Sequence, residues 1–449
     1  MRDFFSDFKT VTKAEWQNKI ESDLKGKNSK LLLIEDEIED IKISSYYHNE
    51  DAINNTETPG NYPYKRGMNV PNNQFSNGSL IVVSDEKEAN TKALHALNSG
   101  ADLLVFKSNN HLTDWEQVLK GVKFEYISCQ FAIQSIQEFT ALYALLKNES
   151  NIDYNIDFHA SNFELSNLAE VATNFRKVQT RFCAVNGFRL QQAGANAWQE
   201  ISFCLSTSHE YLVELMRAGL SIDEASACIT FNIGIGSNYF LEIAKIRSLK
   251  SLWSKIIRAY SPEHACSYNC NITAVITHVN KSLKDPETNL LRQTTEAMSA
   301  INAGINALVI LPFDLYSTQS VSSFAERMAL NINSILCEES YFNKVVDPMG
   351  GSYSIEKMTS TLGKKIWLEF QEMDSKGGAF SNQTLSYLLA SVSEKSLMRI
   401  EKFNRGEITG IGINIYQPEE IQSAEWTLNE EYLGLKPLIL ESEYKSVSV

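Results

Sequence analysis

Residues 272–311 read ITAVITHVNKSLKDPETNLLRQTTEAMSAINAGINALVIL, and this stretch contains one complete strand–helix–strand unit. Ile272–Ile276 is a short apolar run of the kind that forms a buried parallel strand. The following helix is predicted to begin with Asp285–Pro286, an acidic cap followed by a first-turn proline, and to end at Gly304. Ala307–Leu311 is the next apolar run, so the stretch predicts two parallel strands joined by a crossover helix.

The same alternation of an apolar run and a helical stretch occurs eight times along the chain. The predicted strands are Leu80–Val83, Asp102–Phe106, Phe124–Phe131, Tyr154–Phe158, Arg181–Val185, Cys228–Ile233, Ile272–Ile276 and Ala307–Leu311. Eight such units within about 260 residues predict an α/β fold of the (β/α)8 TIM-barrel type. An open, doubly wound sheet is the alternative, because periodicity does not show whether a sheet closes.

Three regions are expected on either side of these runs. Residues 1–78 form an N-terminal association arm with an extended segment, residues 79–340 form the barrel, and residues 341–449 form a C-terminal helical belt that ends in an irregular tail. Within the arm, a helix is predicted at Lys13–Leu24, with a capping box at Thr12–Glu15.

Composition and charge exclude several classes of function. The net charge of −14 disfavours nucleic acids and anionic membranes as partners. The chain has no apolar run of ~18 residues and no signal-peptide pattern at its start. Its seven cysteines are scattered without a CxxC pair, which indicates a reducing cytoplasm. Cys266 and Cys270 come closest to a metal motif, but they lack a second pair of ligands, so we expect no metal site.

Several stretches of the chain carry motifs in one consistent order. They are Thr58–Gly67 (TPGNYPYKRG), Val185–Ala195 (VNGFRLQQAGA), Gly234–Arg247 (GIGSNYFLEIAKIR), Val346–Tyr353 (VDPMGGSY), and Gly406–Glu407 with Gly410–Tyr416. Together they resemble the methylmalonyl-CoA mutase family over residues 10–418, and Asp285–Met298 resembles the small-subunit branch of that family. The resemblance implies a TIM barrel through whose axis the pantetheine arm of coenzyme A passes.

The motif at Val185–Ala195 departs from the family pattern at the decisive positions. In catalytic subunits of the family, a Tyr-His pair occupies the places of Phe188 and Arg189 and lies over the substrate and the cobalamin. Phe188 has no hydroxyl group, and Arg189 cannot release a proton near neutral pH. The resemblance therefore implies no catalytic residue in this chain. Asn186 and His278 remain as candidates for substrate binding.

Two further features of the family bear on the cofactor. Its cobalamin domain carries D-x-H-x-x-G, whose histidine ligates cobalt, and no such domain follows the barrel unit here. Asp157–Asn162 is the nearest match, but it lacks the glycine, so we do not expect His159 to ligate cobalt. The segment Met68–Asn77 also lacks the aromatic site residues of catalytic subunits. We expect adenosylcobalamin and the acyl-CoA to be held by a partner, the large subunit.

Other polar residues in these motifs are expected to have structural roles. Arg292–Gln293 lies within a predicted helix and is not expected to supply the catalytic glutamine of active subunits. Lys245 and Arg247 lie on another predicted helix, where pairing with neighbours such as Glu242 is expected.

Taken with the resemblance, the sequence predicts the non-catalytic small subunit of a heterodimeric, adenosylcobalamin-dependent methylmalonyl-CoA mutase of propionate metabolism. The alternative is an acyl-CoA mutase in its own right that works with a separate cobalamin-binding chain. A third hypothesis is a regulatory barrel that binds coenzyme A. The Phe188–Arg189 pair favours the first of these hypotheses.

Overall fold

A helix and a hairpin precede the barrel in the computed structural model. The structure describes residues 9–25, 33–51, 57–68, 72–108, 113–160, 163–175, 181–319, 321–419 and 424–445. Helix α1 (Lys13–Asp23) has the predicted capping box between Thr12 and Glu15. Strands β1 (Leu33–Asp36) and β2 (Ile41–Ser44) form an antiparallel hairpin.

Eight parallel strands then form a closed barrel. They are β3 (Ser76–Val83), β4 (Leu103–Ser108), β5 (Ser128–Ile133), β6 (Ile152–Ile156), β7 (Cys183–Asn186), β8 (Ile229–Ile235), β9 (Ile272–Ile276) and β10 (Ala307–Ile310). Each strand pairs with the next one in the chain, and β10 pairs with β3. The predicted TIM barrel is therefore confirmed, and the open sheet is excluded.

Helices follow the strands and cover the outside of the barrel. They are α2 (Glu86–Asn98), α3 (Trp115–Val118), α4 (Ile136–Leu146), α5 (Asn167–Phe175), α6 (Gly187–Gln192), α7 (Ala197–Arg217), α8 (Ile222–Ala227), α9 (Tyr239–Ala259), α10 (Thr288–Ala303) and α11 (Ser323–Ser334). The long helices α7 and α9 bury most of their residues, because α12 (Tyr353–Ser375) packs over both of them. Helices α13 (Asn382–Asn404) and α14 (Leu440–Glu443) complete the C-terminal region.

Most strand boundaries differ from the predicted ones by one or two residues, and β3 begins at Ser76, four residues before the predicted Leu80. Two other differences, at α10 and at β5, have a local cause. Helix α10 begins at Thr288 and not at Asp285, because the Asp285 carboxylate accepts a hydrogen bond from the Thr288 hydroxyl (2.6 Å) and caps no helical N–H group. Its end at Gly304 is as predicted, with φ +77°. The third barrel strand begins at Ser128 and not at Phe124, because the residues between them form a turn.

The N-terminal hairpin packs against the barrel of its own chain. The Glu39 carboxylate accepts a hydrogen bond from the Ala197 N–H group (2.9 Å), and Asn196 Nδ2 donates to the carbonyl of Ile38 (2.7 Å). Ile38 and Ile41 are buried. In contrast, α1 buries none of its residues. None of the helices in the described ranges combines the length and the apolar character that a bilayer span needs.

Candidate functional site at the barrel mouth

A cavity of about 170 Å³ lies at the end of the barrel to which the carboxyl ends of the strands point, here called the barrel mouth. One side of its wall is apolar and comes from residues on four strands and from the loop after β10. These residues are Leu80, Val105, Val275, Val309 and Leu311. TIM barrels carry their active sites at this end, so this cavity is the candidate functional site.

Phe188 extends the apolar wall. It stands at the start of α6, directly after β7, and packs against the apolar cluster that contains Val275, Val309 and Leu311. A phenyl ring can form no hydrogen bond to a ligand here, so this position contributes packing and not polar chemistry.

Arg189 points to a different part of the chain. Its Nη2 donates to the carbonyl of Glu431 (3.2 Å), and its guanidinium lies 5.0 Å from the centre of the Tyr432 ring. The same nitrogen is 3.9 Å from a carboxylate oxygen of Glu430. Arg189 therefore anchors a C-terminal segment to the barrel mouth.

This segment, residues 424–441, crosses the barrel mouth and is here called the C-terminal strap. Trp426 forms an antiparallel bridge with Ser317, and the Leu438 N–H group donates to the carbonyl of Gln192 (2.7 Å). The strap residues that line the cavity are Leu428, Glu430, Tyr432, Leu435 and Pro437. The C-terminal tail was expected to be irregular. The part of it that the structure describes has little regular secondary structure, as expected, and it covers the barrel mouth.

The opposite side of the cavity is lined by amide side chains. Asn186 Nδ2 donates to the Asp157 carboxylate (2.8 Å), so its Oδ1 is free to accept from Asn232 Nδ2 (2.7 Å). Asn155 Nδ2 likewise donates to Gln130 Oε1 (3.3 Å). Asn186 therefore does line the cavity, as a member of a hydrogen-bonded chain that runs from the Asp157 carboxylate to Asn232.

His278, the second candidate, does not line the cavity. Its Nε2 lies 3.1 Å from the carbonyl oxygen of Pro312, and its ring packs edge-on against Tyr316 and Trp426. Burial lowers the pKa of His278 to about 3, so the ring is neutral at physiological pH. The structure separates the two candidates, since Asn186 faces the cavity and His278 is buried beside it.

His159 is also neutral, and its side chain is half-buried. Its ring stacks on Phe380 with 3.9 Å between ring centres, and its Nε2 lies 3.1 Å from the Thr207 hydroxyl. Burial lowers the pKa of His159 to about 4. Residues 161 and 162 of the D-x-H match lie outside the described residues, as do residues 69–71 of the segment Met68–Asn77.

The structure gives Arg292 and Gln293 structural contacts, as expected. Arg292 Nη1 donates to Asn289 (2.7 Å), and Gln293 Nε2 donates to the carbonyl of Leu311 (2.7 Å). Cys266 is exposed and Cys270 is buried. Within the described ranges, no group of three or more His, Cys, Asp or Glu side chains is suited to a metal ion.

Three of the motifs meet in one network of ion pairs on the outside of the barrel. Arg66 Nε lies 2.6 Å from the Asp347 carboxylate, and Lys65 Nζ lies 2.9 Å from Glu356. Arg247 pairs with both of these acids, and its side chain is fully buried. The motifs at Thr58–Gly67, Gly234–Arg247 and Val346–Tyr353 thus hold the extended segment, α9 and α12 together, which sequence order alone does not show.

A second buried network supports the end of β8. Lys245 Nζ donates to Glu200 (2.8 Å) and to the carbonyl of Gly234 (2.6 Å), and it lies 2.6 Å from Glu242. The other oxygen of Glu200 accepts from the Gly234 N–H group (2.7 Å). The expected Lys245–Glu242 pair is confirmed, whereas the role of Glu200 could not be predicted from its place in another helix.

The cavity residues that sequence reasoning missed are Lys107, Glu430 and Tyr432. Lys107 pairs with Glu430, which is 323 positions away in the sequence. Because the strap has no helical or strand periodicity, its sequence gives no signal that Glu430 and Tyr432 reach the barrel, where Lys107 lies on β4.

The fold and the site together define a TIM-barrel protein whose mouth carries no acid–base pair at Phe188 and Arg189 and is covered by its own chain. A family model described as methylmalonyl-CoA mutase matches residues 164–432. The methylmalonyl-CoA mutase small subunit of Porphyromonas gingivalis is 31% identical over 425 residues, which cover 88% of this chain and 68% of that protein. The chain belongs to the methylmalonyl-CoA mutase family.

Other relatives match a smaller part of the chain. The methylmalonyl-CoA mutase small subunit of Streptomyces virginiae is 34% identical over 198 residues, covering 44% of this chain and 32% of that protein. The methylmalonyl-CoA mutase of Rhizobium meliloti is 32% identical over 239 residues, which cover 53% of this chain and 33% of that protein. The matched region therefore spans about a third of the length of these two relatives.

Proposed function

We propose that this chain is the non-catalytic small subunit of a heterodimeric, adenosylcobalamin-dependent methylmalonyl-CoA mutase, which interconverts methylmalonyl-CoA and succinyl-CoA. The observation that carries the proposal is the state of the barrel mouth. Phe188 fills part of the apolar wall, and Arg189 is engaged by the C-terminal strap. Phe188 can form no hydrogen bond to a substrate, and Arg189 cannot exchange a proton with one near neutral pH, so the two positions supply no acid–base pair. The similarity to two relatives named as small subunits supports the same proposal.

The described residues around the mouth do not fit a cobalamin. None of the side chains that line the cavity is a histidine. His278 is buried against Tyr316 and Trp426, and His159 stacks on Phe380, so neither imidazole lines the cavity. We therefore assign the cofactor, and with it the acyl-CoA substrate, to the large subunit.

The N-terminal arm, expected at residues 1–78, is proposed to contact that large subunit through the part that precedes β3, because β3 begins at Ser76 and belongs to the barrel. Helix α1 supports this role because it buries none of its residues against its own chain, although Lys13 pairs with Asp51 and Trp16 contacts the ring of Tyr46. The hairpin β1–β2 packs on the barrel and would remain there. Residues 1–8, 26–32, 52–56 and 69–71 of the arm lie outside the described residues.

A cytoplasmic location is part of the proposal. All seven cysteines are free thiols, five of them buried, which is compatible with a reducing compartment.

Co-expression with an affinity-tagged large subunit tests the proposal. We expect the two chains to co-purify, and we expect turnover of methylmalonyl-CoA from the pair but none from this chain alone. Removal of residues 1–25, which leaves the hairpin in place, should reduce co-purification. As a control outside the arm, the Lys147→Ala variant changes one exposed residue at the end of α4 and should leave co-purification unchanged.

Two outcomes would contradict the proposal. The first is clear turnover by the purified chain with adenosylcobalamin, or with a separate cobalamin-binding chain, since either would favour an enzyme in its own right. The second is a failure to co-purify when both chains are soluble. Full retention of the large subunit after removal of residues 1–25 would reject only the role of the arm.

A further inference from the structure

One acidic side chain of the strap lies between two cations at the barrel mouth. Lys107, in β4, forms an ion pair with one carboxylate oxygen of Glu430. Arg189 Nη2 lies 3.9 Å from the other oxygen. All three side chains line the cavity. The carboxylate of Glu430 thus lies between two cationic side chains at the rim of the cavity, and the cavity continues inward past Glu430.

We infer that the barrel mouth is a binding site for a small carboxylic acid with an apolar body. In the structure, the side-chain carboxylate of Glu430 occupies the place that the carboxylate of this ligand would take. The two cations supply the recognition of a carboxylate. The apolar wall formed by Leu80, Val105, Val309 and Phe188 supplies the surface for the body of the ligand. A cavity of about 150 Å³ holds a benzene ring, so the 170 Å³ here is large enough for a branched five-carbon acid.

The contacts of Glu430 allow exchange. The side chains of Lys107, Arg189 and Glu430 are 24%, 23% and 41% exposed, and ion pairs with this access to water are weak. An external carboxylate that also buries an apolar body gains a contribution that Glu430 cannot make.

The strap itself need not leave when the side chain of Glu430 is displaced. Its backbone is held on both sides of Glu430. The Thr427 N–H group donates to the carbonyl of Tyr316 (2.6 Å), and the Leu438 N–H group donates to the carbonyl of Gln192 (2.7 Å). The inferred site therefore opens by a side-chain rotation, with the cover of the mouth kept in place.

Binding of isovalerate to the purified chain, measured by calorimetry and by ligand-observed NMR, tests this inference. The Glu430→Gln variant removes the internal competitor. If the cationic pair is free of Glu430 about a tenth of the time, this variant should bind isovalerate about tenfold more tightly. In the Glu430→Gln background, Lys107→Met should weaken binding by roughly tenfold or more, and Lys107→Arg should restore most of it.

Two controls separate charge recognition from nonspecific binding. The Lys436→Gln variant changes an exposed strap residue that does not line the cavity, and it should leave the affinity unchanged. Isovaleramide has the same shape as isovalerate without the charge, and it should bind at least tenfold more weakly to the Glu430→Gln variant.

Equal affinity for the acid and the amide would overturn the inference, as would an unchanged affinity in the Glu430→Gln variant or no binding of isovalerate to it. The Glu430→Gln variant changes a partly exposed side chain, so we expect it to fold, and its thermal unfolding checks this. All measurements use the chain without its partner. Their failure would therefore leave the proposed subunit role intact, and a failure to co-purify would leave this inference intact.

Discussion

Replacement of Lys245 by methionine is expected to be among the most destabilising single changes in the chain. The Lys245 side chain is 1% exposed, and it holds the carboxylates of Glu200 and Glu242, which are 0% and 7% exposed. Methionine matches the length and the apolar stem of lysine but carries no charge. The variant therefore keeps the packing and leaves two buried acids without their cation.

The expected loss follows from the cost of an uncompensated buried charge. Removal of one partner of a buried ion pair lowers the free energy of unfolding by about 3–5 kcal/mol. The loss should depend on pH. Burial raises the pKa of Glu200, and the attraction to Lys245 opposes that rise. Without Lys245, the pKa of Glu200 should rise further.

The sign of the pH dependence follows from this shift. A carboxyl group whose pKa is raised in the folded state stabilises the protein most below its ordinary pKa, and that stabilisation is lost as pH rises through the raised value. The difference in the free energy of unfolding between the unchanged protein and the Lys245→Met variant should therefore be larger at about pH 8 than at about pH 5.

Urea denaturation followed by circular dichroism at the two pH values measures the effect. Lys255→Met on the exposed side of the same helix is the matched control, and it should change stability by no more than about 0.5 kcal/mol. Adding Glu200→Gln to Lys245→Met should recover part of the loss, because the amide oxygen can still accept from Gly234. A loss equal to that of the control, or one that grows as pH falls, would refute the reasoning.

Three further predictions concern the barrel and its mouth. The double variant Phe188→Tyr, Arg189→His should still show no turnover of methylmalonyl-CoA by the chain alone, because backbone hydrogen bonds to Tyr316 and Gln192 still hold the strap over the mouth; measurable turnover would contradict this. Gly78→Ala should lower the free energy of unfolding by about 1–3 kcal/mol in urea denaturation, because its Cβ would lie 2.7 Å from a methyl group of Val309; an unchanged midpoint would oppose it. The ring resonances of His278 should stay constant in NMR from about pH 7 to about pH 5, since its pKa is about 3; a midpoint within that interval would disprove the burial argument.

The sequence predicted most of the barrel because each strand carries its own local signal. Ile272–Ile276 is an uninterrupted run of strand-forming residues, and the structure has the strand at the same bounds. At Phe124 the apolar signal was misleading, because a residue can pack against the core from a turn as well as from a strand. The prediction of a helix cap at Asp285 was wrong because the Asp285 carboxylate accepts a hydrogen bond from the Thr288 hydroxyl and not from a helical N–H group.

The candidate site was predictable only in part. The replacement at Phe188 and Arg189 was visible in the sequence, because a motif fixes which residue types belong at those places. Which of Asn186 and His278 faces the cavity was not visible, because both follow barrel strands. Only the direction of each side chain separates them.

By itself, the sequence determined the class of fold, the order of the strands and the presence of Phe188 and Arg189 directly after the fifth barrel strand, because these depend on residue types and on spacing within short stretches. The tertiary structure decided what lies over the mouth. The contact between Lys107 and Glu430 joins residues 323 positions apart. The strap that carries Glu430 is irregular, so its path is set by hydrogen bonds to Gln192 and Tyr316, which are far apart in the sequence and are brought together only by the fold.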